Sequence, residues 1–314
     1  MFKSSLASVG FSLLALGLGA AGAEAQTASR AWVSGHGVDQ AGCAQPTNPC
    51  RTIQYALQNI VAAGGEIDVL DPAGYGPITI TKAISIVNDG VGTAGIIATS
   101  GGNGITINAG ATDAIFLRGL TVEGGNTGAA GLFFNTGARL VVANSVFRNF
   151  TDHGIKLAPS GQTTFVISDT IASDNGSNGV DISPVGSGSA SGTIVGLHAT
   201  GNGQLGMAVD GTHLTSPVNS TIGVQGSVFS GNGQYGLGVQ SSTMTVVVDR
   251  SSANGNPTGG FASQLNGVLY LSRSEATGNG TGITTSGTIF SYGNNSVIAN
   301  GTDVSGTVST VTAH

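Results

Sequence analysis

The chain has 314 residues, of which 53 are glycine and only 8% are charged, against ~7% glycine and ~25% charged residues in ordinary globular proteins. A mean hydropathy of +0.22 excludes ordinary disorder, which needs low hydrophobicity and high net charge, and the lack of a sustained Gly-X-Y phase excludes collagen. The net charge of −6 includes only ten Lys and Arg, scattered along the chain. With no basic stripe to neutralise phosphates, nucleic acid is excluded as a partner.

The chain opens on Lys3, an apolar and small-residue run over 9–21, and Ala23-Glu24-Ala25, the A-x-A pattern of a secretory cleavage site. A signal peptide over residues 1–25 is expected, and with it a secreted or periplasmic protein. No membrane span is expected after its removal, because no later apolar stretch approaches ~20 residues. Cys43 and Cys50 lie seven residues apart, and in an exported chain such a pair closes a small loop as a disulfide. A structural zinc site wants four ligands, and His36 is the only further candidate nearby. Neither a metal nor a cofactor is expected.

Residues 26–65 read as an entry segment. Trp32 and Val33 suggest a first strand, and residues 52–62 carry a helical pattern with Ile53, Ala56, Leu57, Ile60 and Val61 on one apolar face. Gly64-Gly65 stops it. Short β-rich runs follow at 67–70, 78–80 and 84–87, separated by turn residues. Alternation continues through Ile105, Ile107, Ile115, Leu117, Leu120 and Val122.

From Asn144 to Gly301 one phrase is written seven times. Its copies end at Asn149, Asn175, Asn202, Asn232, Asn256, Asn279 and Asn300, at intervals of 26, 27, 30, 24, 23 and 21 residues. A period in the twenties with strand-like content predicts a solenoid, assigned to residues 66–314, with the helix capping its open N-terminal end. After each Asn a Gly opens an alternating strand, whose first and third residues (Leu132/Phe134, Ile155/Leu157, Val180/Ile182 and their successors) form an inward column. Three residues before each Asn, Val146, Ala172, Ala199, Phe229, Ala253, Ala276 and Val297 form another. Coils stacked at ~4.8 Å place like residues in ladders, where repeated charges would repel; the low charged fraction fits. Asn and Gly suit the turns because both tolerate the left-handed conformation, and a stacked Asn can hydrogen-bond its neighbour.

Three passages carry a family resemblance. "PCRTIQYALQNIVAAGGEIDVLDPAGYGPITI" looks like a cap helix, first strand and Gly-Tyr turn; the Asn-Gly coils continue it; and "YGNNSVIANGTDVSG" at 292–306 resembles a last coil. Together they resemble right-handed parallel β-helix proteins of the pectate-lyase-like superfamily. The resemblance implies an all-β fold of about ten coils with an N-terminal capping α-helix. It implies no single activity, because the superfamily spans polysaccharide lyases, hydrolases, epimerases, esterases, tailspikes and adhesins. The galacturonide-hydrolase set of N-T-D, D-D, G-H-G and R-I-K is represented only by Gly35-His36-Gly37, ahead of the cap helix.

One cluster has chemical content. The second residues after each Gly point outward in the column Phe133, Lys156, Asp181, Ala208, Gly238, Ala262, Thr284, and the fourth residues include Ser183 and Asp210. Lys156 and Asp181 are therefore expected on adjacent rungs, with Asp210 one coil on and Asp152 and His153 on the preceding turn. Lys156 or His153 could act as base or acid with Asp181 and Asp210, Arg148 as a carboxylate clamp, and Phe133 as a stacking surface, with Asp152 beside them. The competing reading is a surface ion pair flanked by turn residues. Two functions stand: a module binding polysaccharide or a cell-surface glycan, or a carbohydrate-active enzyme of lyase or C5-epimerase type on an acidic polysaccharide.

Overall fold

The computed structural model describes residues 27–312, so the expected signal peptide lies outside the described residues. The chain winds through three parallel sheets, one of twelve strands and two of ten. The first sheet runs from Ala28–Val33 to Val308–Thr310, the second from Ile78–Ile80 to Thr302–Ser305, and the third from Ala73–Gly74 to Ser296–Ile298. A coil visits them in the order third, second, first, as in Val146–Arg148, Ile155–Leu157 and Gln162–Ser168. Inward residues of each strand, such as Ile155, Leu157, Ile167 and Ala172, are fully buried. The core is one coil wide, as the alternation implies.

The repeated asparagine is an internal ladder. From Asn175 through Asn202, Asn232, Asn256 and Asn279 to Asn300, each Nδ2 donates to the next Oδ1 at 2.9–3.1 Å. Each backbone N–H donates to the same Oδ1, and each Nδ2 also reaches a main-chain carbonyl, as Asn232 Nδ2 reaches Ala199 O at 3.1 Å. The glycine that follows is small for a related reason. A Cβ on Gly179 would meet the Gly206 carbonyl at 2.7 Å and Asn202 Nδ2 at 2.8 Å. Asp303 ends the ladder: its Oδ1 accepts both the backbone N–H and Nδ2 of Asn300, the two donors a next asparagine would satisfy.

Three expectations are corrected. The left-handed turn residue is the one before the ladder, at Asn149, Asp174, Gly201, Gly231, Gly255, Gly278 and Ala299, so the ladder asparagines are there for stacking and not for positive φ. Asn149 is itself that turn residue, and Phe150 takes the ladder position, donating its N–H to Asn175 Oδ1 at 3.2 Å. The inward column accordingly contains Phe147, paired with Ala172, in place of Val146. Finally, the helix is shorter than 52–62. Ile53–Tyr55 is α-helical, Ala56–Ile60 widens until Val61 N–H bonds Ala56 O, and Val61 begins a nine-residue strand paired with Ala28–Val33. Sheet pairing outcompetes the last helical turn, while Ile53, Ala56 and Leu57 still cover the N-terminal end.

The entry segment is pinned on both sides. Cys43 and Cys50 form the expected disulfide, which an oxidising, non-cytoplasmic compartment permits. Asp39 accepts hydrogen bonds from the N–H of Arg51 and Thr52 at the helix start. Asp71 accepts from Ser34 Oγ, Gly35 N–H and the buried Tyr75 hydroxyl. No helix among the described residues is long and apolar enough to cross a membrane.

Candidate functional site

On the outer face of the second sheet, Ile155–Leu157, Val180–Ile182 and Met207–Asp210 lie side by side. Because the residues flanking them are buried, Lys156 and Asp181 point outward on paired rungs, and Asp181 pairs onward with Ala208. Asp210 follows two residues later. A pocket of about 350 Å³ is lined by His153, Lys156, Asp181, Ser183, Asp210 and His213, among others.

A flat sheet has no pocket, and the concavity here comes from two long turns. The intervals Asn175–Asn202 and Asn202–Asn232 are the two longest, 27 and 30 residues. Their extra length falls in the turns 183–188 and 211–219 that lead to the first sheet. These turns hold each other: Gly186 N–H donates to His213 O at 3.2 Å, and Thr215 N–H donates to Gly186 O at 2.8 Å. They wall the pocket on one side, and the second turn delivers His213, a residue outside the expected set.

Asp181 is the hub. Its side chain is 10% exposed, accepts Ser183 Oγ at 2.6 Å and Asn178 Nδ2 at 3.4 Å, and lies 3.8 Å from Lys156 Nζ. His153, equally buried, accepts the Asn178 N–H at Nδ1 (3.3 Å) and turns Nε2 toward Asp152 Oδ1 at 3.1 Å and Asp181 at 3.9 Å. With Nδ1 accepting, the neutral ring carries its proton on Nε2, on the side of the Asp152 and Asp181 carboxylates. Burial lowers the pKa of His153, and Lys156 adds to this, outweighing the upward pull of Asp181 and Asp152. The lone pair of the neutral ring is thus taken by the Asn178 N–H, leaving none free for a substrate proton.

The pocket's more accessible groups are different ones. Lys156 is about one-third exposed, Asp210 about one-quarter, and His213 well exposed, with His213 Nε2 at 3.7 Å from Asp210 Oδ2. Asp210 Oδ1 accepts the Thr212 N–H. The arrangement supplies an ammonium donor, carboxylate acceptors and an imidazole to one small volume, suited to several hydroxyls at once. Phe133 is half-buried one rung below Lys156, outside the pocket lining. Arg148 does not join: it lies on the third sheet and pairs with Glu123 at 2.8 Å, so it is no clamp for a ligand in this pocket. No group of three or more potential metal ligands occurs among the described residues.

The sequence signal for His213 was interval length. Alternation identifies side chains on strands and is silent about an irregular turn, but the two longest intervals bracket this pocket.

A family model described as "Right handed beta helix region" matches residues 79–222. Among solved structures, pectate lyase Pel9A is similar with a TM-score of 0.63 at 16% identity, over 89% of this chain and 76% of that one. Alginate lyase from Paenibacillus sp. str. FPU-7 is similar with a TM-score of 0.56 at 14% identity, over 82% of this chain and 96% of that one. No curated protein matches the sequence. At such identities the likeness concerns the fold, and it supplies the hand of the coil. The chain folds as a right-handed parallel β-helix.

Proposed function

We propose that this protein is an exported glycan-binding β-helix that holds polysaccharide or a surface glycan at the Lys156–Asp181–Asp210–His213 pocket. The observation that carries the reading is the convergence of ionisable side chains from successive coils into one concave volume, on a molecule whose repeating positions are otherwise used for stacking. Buried, hydrogen-bonded Asp181 and His153 make a rigid floor, and rigid polar groups lose little freedom on binding. The architecture shared with pectate and alginate lyases is consistent with a polysaccharide ligand.

Isothermal titration of the purified protein against pectate, alginate and a neutral glucan tests it. Lys156→Ala or Asp210→Asn is expected to weaken the bound glycan ~10-fold, as loss of one charged hydrogen bond would. Undiminished affinity in the double variant would remove the pocket from the reading. The second reading, a lyase or C5-epimerase on an acidic polysaccharide, is favoured by the accessible His213–Asp210 pair facing the Lys156 side. Unsaturated products absorbing at ~235 nm would reveal β-elimination, in which a base takes the C5 proton. Since epimerisation leaves that trace silent, C5 configuration is followed by NMR in parallel.

A further inference from the structure

At another corner of the coil, the turn from the first sheet to the third demands a left-handed residue. Gly119, Asn144, Asp169, Gly196, Gly226, Arg250 and Arg273 occupy it in successive coils, all with φ between 46° and 71°. Glycine, asparagine and aspartate are the residues that adopt this conformation readily. Arg250 and Arg273 are not, yet they follow one another on adjacent coils, in a chain with only ten Lys and Arg. Ser241, Leu265 and Ala299 bear the same strain at other turns, but at this corner the residues that bear it are two neighbouring exposed cations, which indicates that their side chains serve something other than the turn.

Their surroundings support a ligand. Both guanidiniums are more than half exposed and share one carboxylate: Arg273 grips Asp249 with Nε and Nη2 at 2.8 and 2.7 Å, and Arg250 Nε stands 3.4 Å from it. Both Nη groups of Arg250 and Nη1 of Arg273 have no hydrogen bond among the described residues. With Ser252 and Glu275 these arginines line a depression of about 260 Å³. Glu275 is exposed and, among the described residues, has no side-chain hydrogen bond or ion pair, although it shares the depression with two arginines. Unused donors of two forks beside an unused acceptor match a ligand with an oxyanion and neighbouring hydroxyls.

We propose that Arg250 and Arg273 form a second, separate site for an acidic sugar unit, with its carboxylate or sulfate on the two guanidiniums and its hydroxyls donating to Glu275. The site is small, sized for one ring and not for a long buried segment. It stands independently of the pocket on the second sheet and holds whether or not that pocket binds glycan.

The test uses the full protein and isothermal titration with an oligogalacturonide, a sulfated oligosaccharide, a neutral glucan oligomer and inorganic sulfate. The double variant Arg250→Gly/Arg273→Gly places the residue the turn prefers at both positions, so its unfolding temperature should stay within about 4 °C of the parent. Its affinity for the acidic or sulfated oligosaccharide should fall at least ~10-fold, as loss of charged hydrogen bonds predicts. Titrations repeated in the Lys156→Ala background read the Arg250/Arg273 component apart from the pocket on the second sheet. Equal affinity in parent and double variant, no preference for the acidic over the neutral oligomer, or inorganic sulfate binding as tightly as the sugar would each overturn the proposal. Glu275→Gln separates the roles: it should weaken the sugar but not inorganic sulfate.

Discussion

Replacing Asn232 by alanine tests the asparagine ladder at its centre. The side chain is fully buried and makes four hydrogen bonds: it accepts from Asn202 N–H and Nδ2 at 3.1 and 2.9 Å, and donates to Asn256 Oδ1 and Ala199 O, both at 3.1 Å. Truncation strands the Asn202 backbone N–H and one Nδ2 proton of Asn202; the Ala199 carbonyl keeps its place in the strand pairing with 228–230, and Asn256 Oδ1 keeps the Asn232 N–H. At ~1–3 kcal/mol per stranded buried group, the expected loss is about 4 kcal/mol. Equilibrium urea unfolding followed by far-ultraviolet circular dichroism measures it. Asn149→Gly is the matched control, since Asn149 is a left-handed turn residue with φ of 59° whose side chain reaches Glu123 on the surface; it should cost under ~1 kcal/mol. A loss below ~1 kcal/mol for Asn232→Ala, or an equal loss for Asn149→Gly, would refute the ladder's role and the register that separates the two asparagines.

Asp303→Ala should unpair the two Asn300 donors and fray the last coil by ~1 kcal/mol, seen as faster amide exchange over 296–312 with little change at the centre of the rod. Replacing Cys43 and Cys50 with serine removes a loop of sequence separation 7, for which loop entropy predicts a loss of ~2–3 kcal/mol in the N-terminal cap, read by urea unfolding under non-reducing conditions. His153, its folded pKa lowered chiefly by burial, binds fewer protons folded than unfolded. Its contribution is therefore full above the unfolded value of ~6.5 and is lost as pH falls from there through the folded pKa. His153→Asn should flatten the stability–pH slope in that window, and an unchanged slope would reject the assignment. Burial raises the Asp71 carboxyl, but hydrogen bonds from Ser34, Gly35 and Tyr75 outweigh it and hold the pKa below its usual value. The stability from Asp71 is present above ~3.9 and lost below it, so Asp71→Asn should reduce the drop in urea midpoint between pH 5 and 3.

The solenoid was legible because its constraint repeats. Period-two alternation after each glycine placed Ile155, Leu157, Val180 and Ile182 inward and Lys156 and Asp181 outward, and both assignments hold. The register failed where two physical reasons select the same residue type. Asn149 satisfies a left-handed turn, Asn175 satisfies a ladder, and a phrase that ends in asparagine does not say which. Phe150, in the ladder position of the first copy, breaks the pattern visibly only once the coils are stacked. The helix end was missed for a similar reason: Val61 fits the apolar helical face and also the strand that pairs with Ala28–Val33.

The candidate sites were legible to different degrees because repetition records stacking and is blind to departures from it. Lys156, Asp181 and Asp210 sit on regular strands, so alternation found them; His213 sits on an irregular turn, so only the interval of 30 residues marks it. Arg148 shows the converse, since proximity in sequence to His153 does not survive a turn that places it on another sheet. In a coil whose repeated positions are committed to ladders, inserted length and residues unsuited to their backbone are the features that stacking does not account for. The turns 183–188 and 211–219 show the first, Arg250 and Arg273 the second. Each departure gives up some regularity or some backbone comfort, and each borders a depression lined with charge. That coincidence at two separate corners of the rod directs the binding experiments to those residues before any others.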